Sequence, residues 1–357
     1  MAVIFAGLPP VLESEGYDRW VMKLPVCQLE LIKAVCAVQP NTVVVLENGA
    51  PVEMDWADGP KAILEAYLGG EAVCEAIWDV LTGKVSPSGH LAETFPQKLS
   101  DNPSYLSWPG EGDRVEYREG VFVGYRYYET AERPVAFPFG YGLSYTDFEY
   151  SDLTLDRDTF AAGDKLTVTV KVKNTGKYAG KALVQCYVGA DRAATGFIRP
   201  IRELRAFEKL SLSPGEERTV SFTLDKRAFA CWDIPVNGWR VPGGEYEIQI
   251  GTSASDIVLR APVRVEDEYI KRDVHYTVMT PISDIVKHPS GRAMYERVLP
   301  AFTAAVSHMA RGNEDMPYAE LRPADTGLMA EPLQTLQRLV PNMSQKDWDD
   351  FLAELNS

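Results

Sequence analysis

The hydrophobic period of this chain changes near Phe148, and that change constrains its fold more than any other feature. Before it, short apolar runs alternate with stretches whose apolar residues recur at helical spacing. After it the period is two: Lys165–Lys173 alternates strictly, and similar runs follow at 182–188, 218–224 and 245–250. Strands that alternate with helices predict a parallel sheet, whereas short strands in series predict a β-sandwich. The sequence therefore predicts a fold that is α/β plus all-β.

The first part of the chain, up to about residue 95, has the pattern of a doubly wound α/β domain. Thr42–Leu46 is a continuous apolar run of the kind found in strands that are covered on both faces. Helical spacing predicts one helix that ends at Pro40 and another that ends at Gly83. The predicted strands are 3–6, 42–46, 62–68 and 91–95, with the end of the third alternatively in a turn.

This α/β pattern is short for its fold class. The chain begins directly on a predicted strand, and only about four strands can be counted before the pattern ends. Inner strands of parallel sheets pair on both sides and are covered on both faces. We therefore expect a truncated domain whose first βα units are missing. Its exposed sheet edge should favour association, for example as a homo-oligomer.

The loop that follows the first predicted strand, Gly7–Arg19, carries the acids Glu13, Glu15 and Asp18. Ligands of α/β sheets bind outside the carboxyl ends of the strands, and this loop leaves such an end. A carboxylic acid held there has the chemistry for proton transfer. From the residues alone, a surface acid that solvates the loop is the favoured interpretation, because reactive carboxylates are a small minority.

Residues 96–147 form a connector that is rich in proline, glycine and aromatic residues. Tyrosine and arginine are dense in Val115–Tyr128, and Phe137–Tyr145 adds further aromatic side chains. These side chains either line a polar groove or hold the connector by aromatic packing. The second interpretation is favoured for any single residue.

Composition argues against several classes of function. A net charge of -15 argues against nucleic acid and anionic membranes as partners. No apolar run has the length of a membrane span, and the N-terminus lacks the features of a secretory signal. We interpret the five scattered cysteines as reduced core thiols, which fits a cytoplasmic location. No zinc-ligand spacing, phosphate loop or nucleophile–base pair is evident, so neither metal nor cofactor is expected.

The tail, residues 266–357, returns to helical patterns. In its first helix Pro300 should cause a kink or a break. In its last helix Ser344 is the expected N-cap, and an apolar stripe from Trp348 to Leu355 is typical of a docking face. The predicted helices are 292–310, 331–340 and 345–355.

A series of motifs follows in order over residues 1–265. They are Glu13–Arg19 (ESEGYDR), Asn41–Gly49, Pro87–Leu91, Thr94–Pro96, Tyr117–Tyr128, Phe137–Tyr145, Leu204–Leu210, Ser213–Glu216 and Gly243–Gly251. Taken together they resemble the C-terminal portion of glycoside hydrolase family 3, the β-glucosidase-like enzymes. The last three resemble the fibronectin III-like domain of that family. Because many separate motifs agree in order, the resemblance is specific.

The resemblance implies three parts. Residues 1–147 would be a truncated doubly wound α/β sandwich domain with its connector, and 148–265 a fibronectin III-like β-sandwich. Residues 266–357 would be a helical C-terminal extension. In the family a (β/α)8 barrel precedes these parts, and no segment of this sequence resembles that barrel.

The resemblance also implies a retaining hydrolase that acts on β-linked glycosides or oligosaccharides. The family's nucleophile is an aspartate on the barrel, and its acid/base is a glutamate that matches Glu15 here. Glu13 is the fallback acid/base. Tyr17, Asp18 and Arg19 are candidate substrate-binding residues, with shaping of the loop as the alternative role.

Three kinds of function remain open at this stage. The chain supplies the acid/base half of a hydrolase whose barrel lies on a separate polypeptide or was lost from the gene model, or it is a non-catalytic remnant that serves assembly or carbohydrate contact. An independent α/β enzyme is disfavoured, since no nucleophile–base pair accompanies the loop. The preferred sugar and linkage are not determined, because selectivity in the family depends on barrel residues.

Overall fold

The computed structural model describes residues 1–190, 192–270, 275–309, 332–335 and 344–357. The chain divides into two compact units. The first comprises Met1–Cys231 and Val241–Asp267, and the second comprises Trp232–Arg240 and Glu268–Ser357. The division into three parts at residues 147 and 265 stays a prediction.

A parallel sheet of three strands opens the first unit, in the order β1 (Ala2–Gly7), β2 (Thr42–Glu47), β3 (Ala62–Glu65). The central strand β2 is the most buried, and Val44, Val45 and Leu46 have 0% of their surface exposed. This agrees with the continuous apolar run that predicted it.

Two helices follow strands of this sheet, α1 (Val26–Val38) and α2 (Val73–Leu81). Ile32 of α1 packs in one core with Ile4 of β1 and Leu46 of β2. α2 ends two residues before Gly83, whose φ of +74° is the left-handed conformation that commonly ends a helix. The α/β class predicted from the sequence is confirmed.

The predicted strand at 91–95 is wrong as a member of the parallel sheet. Only β4 (Phe95–Pro96) is extended, and it pairs antiparallel with β5 (Val135–Phe137) of the connector. Leu91 explains the difference: its N–H donates to Tyr141 O at 2.8 Å, and its carbonyl accepts from Gly140 N at 2.8 Å. The connector satisfies this backbone, so the segment does not need a place in the sheet.

Aromatic packing holds the connector, as the favoured interpretation predicted. Tyr125 and Tyr128 of the short helix α3 (Tyr125–Thr130) are buried. The Tyr125 ring stacks on Phe139 with 4.6 Å between ring centroids. A cavity of about 520 Å³ opens beside α3 and is lined by residues that include Leu106, Phe122 and Tyr127.

A β-sandwich follows, with sheets in the order β10-β9-β14-β15-β7 and β11-β8-β6. Alternate residues of β8 point inward, and Leu166, Val168, Val170 and Val172 are each 0% exposed, which confirms the period-two prediction. Between the sandwich strands lie the short helices α4 (Arg192–Thr195) and α5 (Lys226–Phe229). The sandwich strands are β6 (Phe148–Leu155), β7 (Thr159–Phe160), β8 (Leu166–Asn174), β9 (Gly180–Gly189), β10 (Arg202–Leu212), β11 (Glu217–Leu224), β14 (Gly244–Gly251) and β15 (Ile257–Val265). The strands β12 (Cys231–Asp233) and β13 (Gly238–Arg240) form a separate two-stranded sheet.

The second unit contains the helices α6 (Ile282–Ile285), α7 (Pro289–Met309) and α8 (Gln345–Leu355). α7 runs through Pro300 as one helix, so the break that was one of the two predicted effects of Pro300 is wrong, whereas the kink stays a prediction. Ser344 caps α8 in a capping box with Asp347, which confirms the predicted N-cap. Residue 310 of the first predicted tail helix, and residues 331 and 336–340 of the second, lie outside the described residues.

All five cysteines lie in the described ranges and none forms a disulfide there, but only Cys186 is buried. Cys27 and Cys74 are exposed on α1 and α2, so their assignment to the core is wrong. Within the part of the chain that the structure describes, no helix combines the length and apolar character needed to cross a membrane.

Candidate active site

The carboxyl ends of the three parallel strands meet at one edge of the sheet. β1 ends at Gly7, β2 at Glu47 and β3 at Glu65. The acidic loop of residues 8–19 therefore begins beside the turn of residues 48–51 that follows β2. This is the edge at which α/β sheets place their ligands.

Glu13, in the middle of the acidic loop, and Arg19, at its end, fasten the loop to the turn after β2. Glu13 Oε2 accepts a hydrogen bond from Gly49 N at 2.7 Å, and Glu13 Oε1 lies 3.6 Å from Arg19 Nη1. Arg19 Nη2 donates to Pro51 O at 2.5 Å. A Cβ on Gly49 would lie 3.2 Å from the Glu13 carboxyl group, so glycine is what permits this close approach. We call these contacts the loop clasp.

Glu15 lies between the two ends of the clasp and is exposed. Among the described residues no side chain or backbone N–H donates to its carboxylate. Gly16 follows it with a φ of +94°, a conformation that glycine adopts readily, and an added Cβ there would meet nothing within 4 Å. The carboxylate at position 15 is therefore free to meet a group from outside the chain.

Tyr17 and Asp18 are both exposed, and Tyr17 is fixed from within the loop. Its hydroxyl donates to Pro10 O at 2.5 Å, which holds the ring while leaving half of the side chain accessible. The bonds of Arg19 are to Glu13 and Pro51, so its guanidinium shapes the loop. Binding of substrate by Tyr17, Asp18 and Arg19 stays a prediction.

Two further carboxyl groups, Glu65 and Glu93, lie close to the clasp and were not singled out from the sequence. Burial raises the pKa of Glu65 to about 7, although its bonds to Tyr67 N at 3.0 Å and Asn48 Nδ2 at 3.5 Å act in the opposite direction. Burial also raises the pKa of Glu93, against the attraction of Arg19. A partial signal existed for Glu65, because it lies within the strand predicted at 62–68, and the structure ends that strand at Glu65, on the edge of the sheet that faces the loop.

Burial affects the Arg19 guanidinium as well. Desolvation lowers its pKa, and the charges of Glu13 and Glu93 partly restore it. The loop clasp is thus a charged contact in a partly desolvated place rather than a solvated surface pair.

Three buried polar atoms of the same cluster lack a hydrogen-bond partner. Arg19 Nη1, Asn48 Oδ1 and Tyr67 OH are buried and have no hydrogen-bond partner among the described residues. Tyr67 also has a φ of +50°, which is unusual for a non-glycine residue. Buried polar atoms and backbone strain of this kind occur most often at functional sites. No group of acidic, histidine or cysteine side chains is placed to hold a metal ion in the described ranges.

Comparison with known proteins identifies the family that has this arrangement. The model of the glycosyl hydrolase family 3 C-terminal domain matches residues 1–145, and that of the fibronectin type III-like domain matches residues 182–254. The thermostable β-glucosidase B of Acetivibrio thermocellus is 49% identical over 352 residues, which is 96% of this chain and 46% of the relative. The chain belongs to glycoside hydrolase family 3 and corresponds to its C-terminal domains.

Two further relatives show the range of this family 3 similarity. The crystal structure of a family 3 β-glucosidase from Bifidobacterium adolescentis has a TM-score of 0.76 and 42% identity, and the match covers 82% of this chain and 42% of that one. An exo-α-(1→6)-L-arabinopyranosidase of Bifidobacterium breve is 43% identical over 269 residues, which is 75% of this chain and 35% of the relative. This chain thus spans less than half of the length of each of these family 3 relatives.

Proposed function

We propose that this chain supplies the general acid/base, Glu15, of a retaining β-glucosidase whose nucleophile lies on a barrel outside these domains. The observation that carries the proposal is the loop clasp. It engages the carboxylate of Glu13 with Gly49 N and Arg19, and it presents Glu15 exposed between them. Position 15 is also the one that matches the family's acid/base in the resembling motif.

The surface around Glu15 supports this proposal. Val11, Trp20 and Val21 lie within six residues of Glu15 and are 74%, 65% and 50% exposed. Exposed apolar side chains close in sequence to an acid offer a surface that another molecule can cover, and the desolvation that follows strengthens catalysis by a carboxylic acid. We propose β-glucosides as the substrates, from the names of the A. thermocellus and B. adolescentis relatives. We also propose a cytoplasmic location, because none of the five cysteines, all of which the structure describes, forms a disulfide.

The proposed mechanism assigns the proton to Glu15 in both steps. Protonated Glu15 donates to the glycosidic oxygen while the barrel aspartate attacks the sugar carbon, and the leaving group departs as an alcohol. Ionised Glu15 then removes a proton from the water that hydrolyses the glycosyl-enzyme. Glu13 keeps the loop in place during both steps but transfers no proton.

The test is complementation in trans with substrates whose leaving groups differ in acidity. The full chain is co-produced with the N-terminal remainder of the A. thermocellus relative, and hydrolysis of 2,4-dinitrophenyl and methyl β-glucosides is measured. Glu15→Gln should lower the rate on methyl β-glucoside at least a hundredfold. It should lower the rate of the first step on the dinitrophenyl substrate far less, because that leaving group departs without protonation.

Glu13→Gln is the matched control. It weakens the clasp without removing the acid, so its effect should be similar for both substrates. The proposal fails if Glu15→Gln leaves the rate on methyl β-glucoside unchanged, or if Glu13→Gln shows the leaving-group dependence instead.

A further inference from the structure

Three arginines surround one glutamate near the start of β10, outside the residues of the candidate active site. Glu203 Oε2 lies 2.6 Å from Arg205 Nη2 and 3.7 Å from Arg199 Nη2. Glu203 Oε1 accepts a hydrogen bond from Arg126 Nε at 3.3 Å. We call these four residues the arginine cluster. Three positive charges against one negative charge leave it a formal charge of +2, in a chain whose net charge is -15.

A bulge in β10 helps to hold the cluster in place. The register of β10 against β9 shifts between residues 204 and 206, so Arg205 is an extra residue in the strand. Leu204 N donates to the Tyr125 hydroxyl at 2.8 Å, which fastens α3 beside the bulge. Arg126 follows Tyr125 in α3, so this bond also brings its guanidinium close to Glu203. Bulges often redirect side chains at functional sites.

Arg199 is the most deeply buried member of the cluster. Its side chain is 3% exposed, and its Cζ lies 5.0 Å from the centre of the Tyr246 ring. Its Nη1 donates to the Tyr246 hydroxyl at 2.8 Å and to Phe229 O at 3.4 Å. Among the described residues its one contact with a negative charge is the 3.7 Å pair with Glu203. The charge of Arg199 is therefore buried with little compensation.

Two N–H donors of the arginine cluster are buried and unused. Arg199 Nε and Arg205 Nε have no hydrogen-bond partner in the part of the chain that the structure describes. Burial lowers the pKa of Arg205, the charges of Arg199 and Arg126 lower it further, and Glu203 restores it only in part. A buried donor without a partner is unfavourable, and a bound ion is one of the few explanations for it. The cluster thus lacks both negative charge and acceptor atoms.

The arginine cluster is accessible from the side of Arg126. The side chains of Arg126, Arg205 and Glu203 are 36%, 19% and 16% exposed, so a small ligand can reach them from solvent. Within the described ranges, Arg126 and Arg205 each donate one hydrogen bond, and both bonds go to Glu203. Most N–H groups of these two guanidiniums are therefore available to a ligand.

We propose that the arginine cluster is a binding site for a doubly charged phosphate group, either as the free ion or as a phosphate monoester. Guanidinium groups present planar pairs of N–H donors that match the oxygen atoms of phosphate. A phosphate group with two negative charges balances the charge of +2, whereas a carboxylate group balances only half of it. The inference goes beyond the proposed function, because no residue of the arginine cluster belongs to the acidic loop.

Isothermal titration calorimetry of the full chain with inorganic phosphate tests the proposal. The titration is run at about pH 8, where phosphate is doubly charged, and sodium chloride keeps the ionic strength constant. We expect saturable binding of one phosphate per chain with a Kd of about 1 mM or lower. A second titration uses glucose 6-phosphate. Weaker or unsaturated binding in both titrations overturns the proposal.

The two titrations also distinguish the two sources of the phosphate group. Glucose 6-phosphate that binds more tightly than inorganic phosphate identifies a monoester as the ligand, because the sugar then adds contacts of its own. Equal or weaker binding of glucose 6-phosphate identifies the free ion. Both results require the same arginines.

Single substitutions locate the bound phosphate. Arg126→Gln removes a partly exposed guanidinium, so it should leave the fold intact and weaken phosphate binding at least about fivefold. Arg205→Gln should weaken binding by at least as much. Arg218→Gln is the matched control, because Arg218 pairs with Glu216 at 2.7 Å on the same sandwich but is 54% exposed. It should change the Kd less than about twofold.

Equal weakening by Arg126→Gln and Arg218→Gln would mean that phosphate is an adventitious ion only, and it overturns the proposal. If Arg205→Gln does not fold, Arg126→Gln decides the matter. Thermal unfolding gives an independent measurement, since a ligand of the native state raises the midpoint. Phosphate should raise the midpoint of the first unit in the unchanged chain and much less in Arg126→Gln. An equal rise in both contradicts the site.

The outcome does not depend on hydrolysis. Glu15→Gln should bind phosphate as tightly as the unchanged chain does, because Glu15 has no part in the cluster. Phosphate binding without hydrolysis therefore supports this inference while contradicting the proposed function. Hydrolysis without phosphate binding gives the reverse result.

Discussion

At the scale of single residues, the acidic loop shows how position gives different roles to the same side chain. Glu13 and Glu15 are two residues apart, yet Glu13 is bonded to Gly49 N and Arg19 while Glu15 is exposed. Arg19 belongs to the clasp that shapes the loop. Both residues carry the same carboxyl group, so it is the local hydrogen bonds that make Glu13 the anchor of the loop and leave Glu15 as the candidate acid.

Glu65 gives a prediction about pH. Because burial raises its pKa to about 7 from an ordinary 4.5, the folded chain binds more protons than the unfolded chain between these values. The free energy of unfolding should therefore fall as the pH rises through this window and stay lowered above it. Glu65→Gln has no charge to desolvate, so it should be more stable than the unchanged chain at about pH 8, by at most about 3 kcal/mol.

Urea unfolding at about pH 5 and about pH 8 measures this effect. Glu47→Gln, which removes an exposed carboxylate at the end of the neighbouring strand, controls for the change of net charge. Glu93 has a pKa raised for the same reason and contributes with the same sign. A Glu65→Gln variant that loses as much stability with pH as the unchanged chain would show that the carboxyl group is solvated.

At the scale of elements, the connector helix α3 is fastened to the sandwich by a buried ion pair. Glu129 of α3 lies 2.6 Å from Arg202 of β10, and these side chains are only 14% and 11% exposed. Arg202 also donates to Ala254 O at 2.6 Å, and Ser255 Oγ donates to Glu129 at 2.5 Å. The pair ties together segments that are far apart in the sequence.

Glu129→Gln should destabilise the first unit by about 3 kcal/mol, because it leaves the Arg202 guanidinium buried without its counter-charge. Glu116→Gln is the matched control. It breaks an ion pair of similar length, 2.8 Å to Arg118, whose side chains are 62% and 68% exposed, so it should cost less than about 1 kcal/mol. Thermal unfolding of the two variants gives the comparison, and equal midpoints would contradict the proposed role of the buried pair.

At the scale of the whole molecule, the chain has two compact units with separate cores. The sandwich core of the first unit contains Val168, Val184 and Ile248, whereas that of the second contains Ile282, Ile285 and Trp348. Units with separate cores often unfold in separate transitions.

Trp348→Ala should therefore lower one of two calorimetric transitions and leave the other in place. Trp348 is 4% exposed, and removing a side chain of this size from a core costs about 4 kcal/mol. Trp78→Ala removes a tryptophan that is 66% exposed on α2 and should change neither transition appreciably. A single transition that Trp348→Ala shifts as a whole would mean that the units unfold together.

The sequence by itself determined the classes of structure in this protein. The apolar run Thr42–Leu46 predicted a buried parallel strand, and the alternation in Lys165–Lys173 predicted a sandwich strand, because side-chain period reports which faces are covered. The N-cap at Ser344 was also predictable, since capping depends on residues close in sequence. The acidic loop was found in the same way, from its place after a strand.

Only the tertiary structure decided which groups meet. Residues 91–95 have the composition of a strand, but the Leu91 backbone bonds to Gly140 and Tyr141, which no local pattern reveals. The clasp of Glu13 on Gly49 joins residues 36 positions apart, and the desolvation of Glu65 depends on the elements packed around it. The spacing of apolar residues and helix capping are local properties of the chain, whereas burial and hydrogen-bond partners depend on contacts between distant residues. The sequence could therefore locate the loop, and only the folded chain could show that Glu13 anchors it and Glu15 is free.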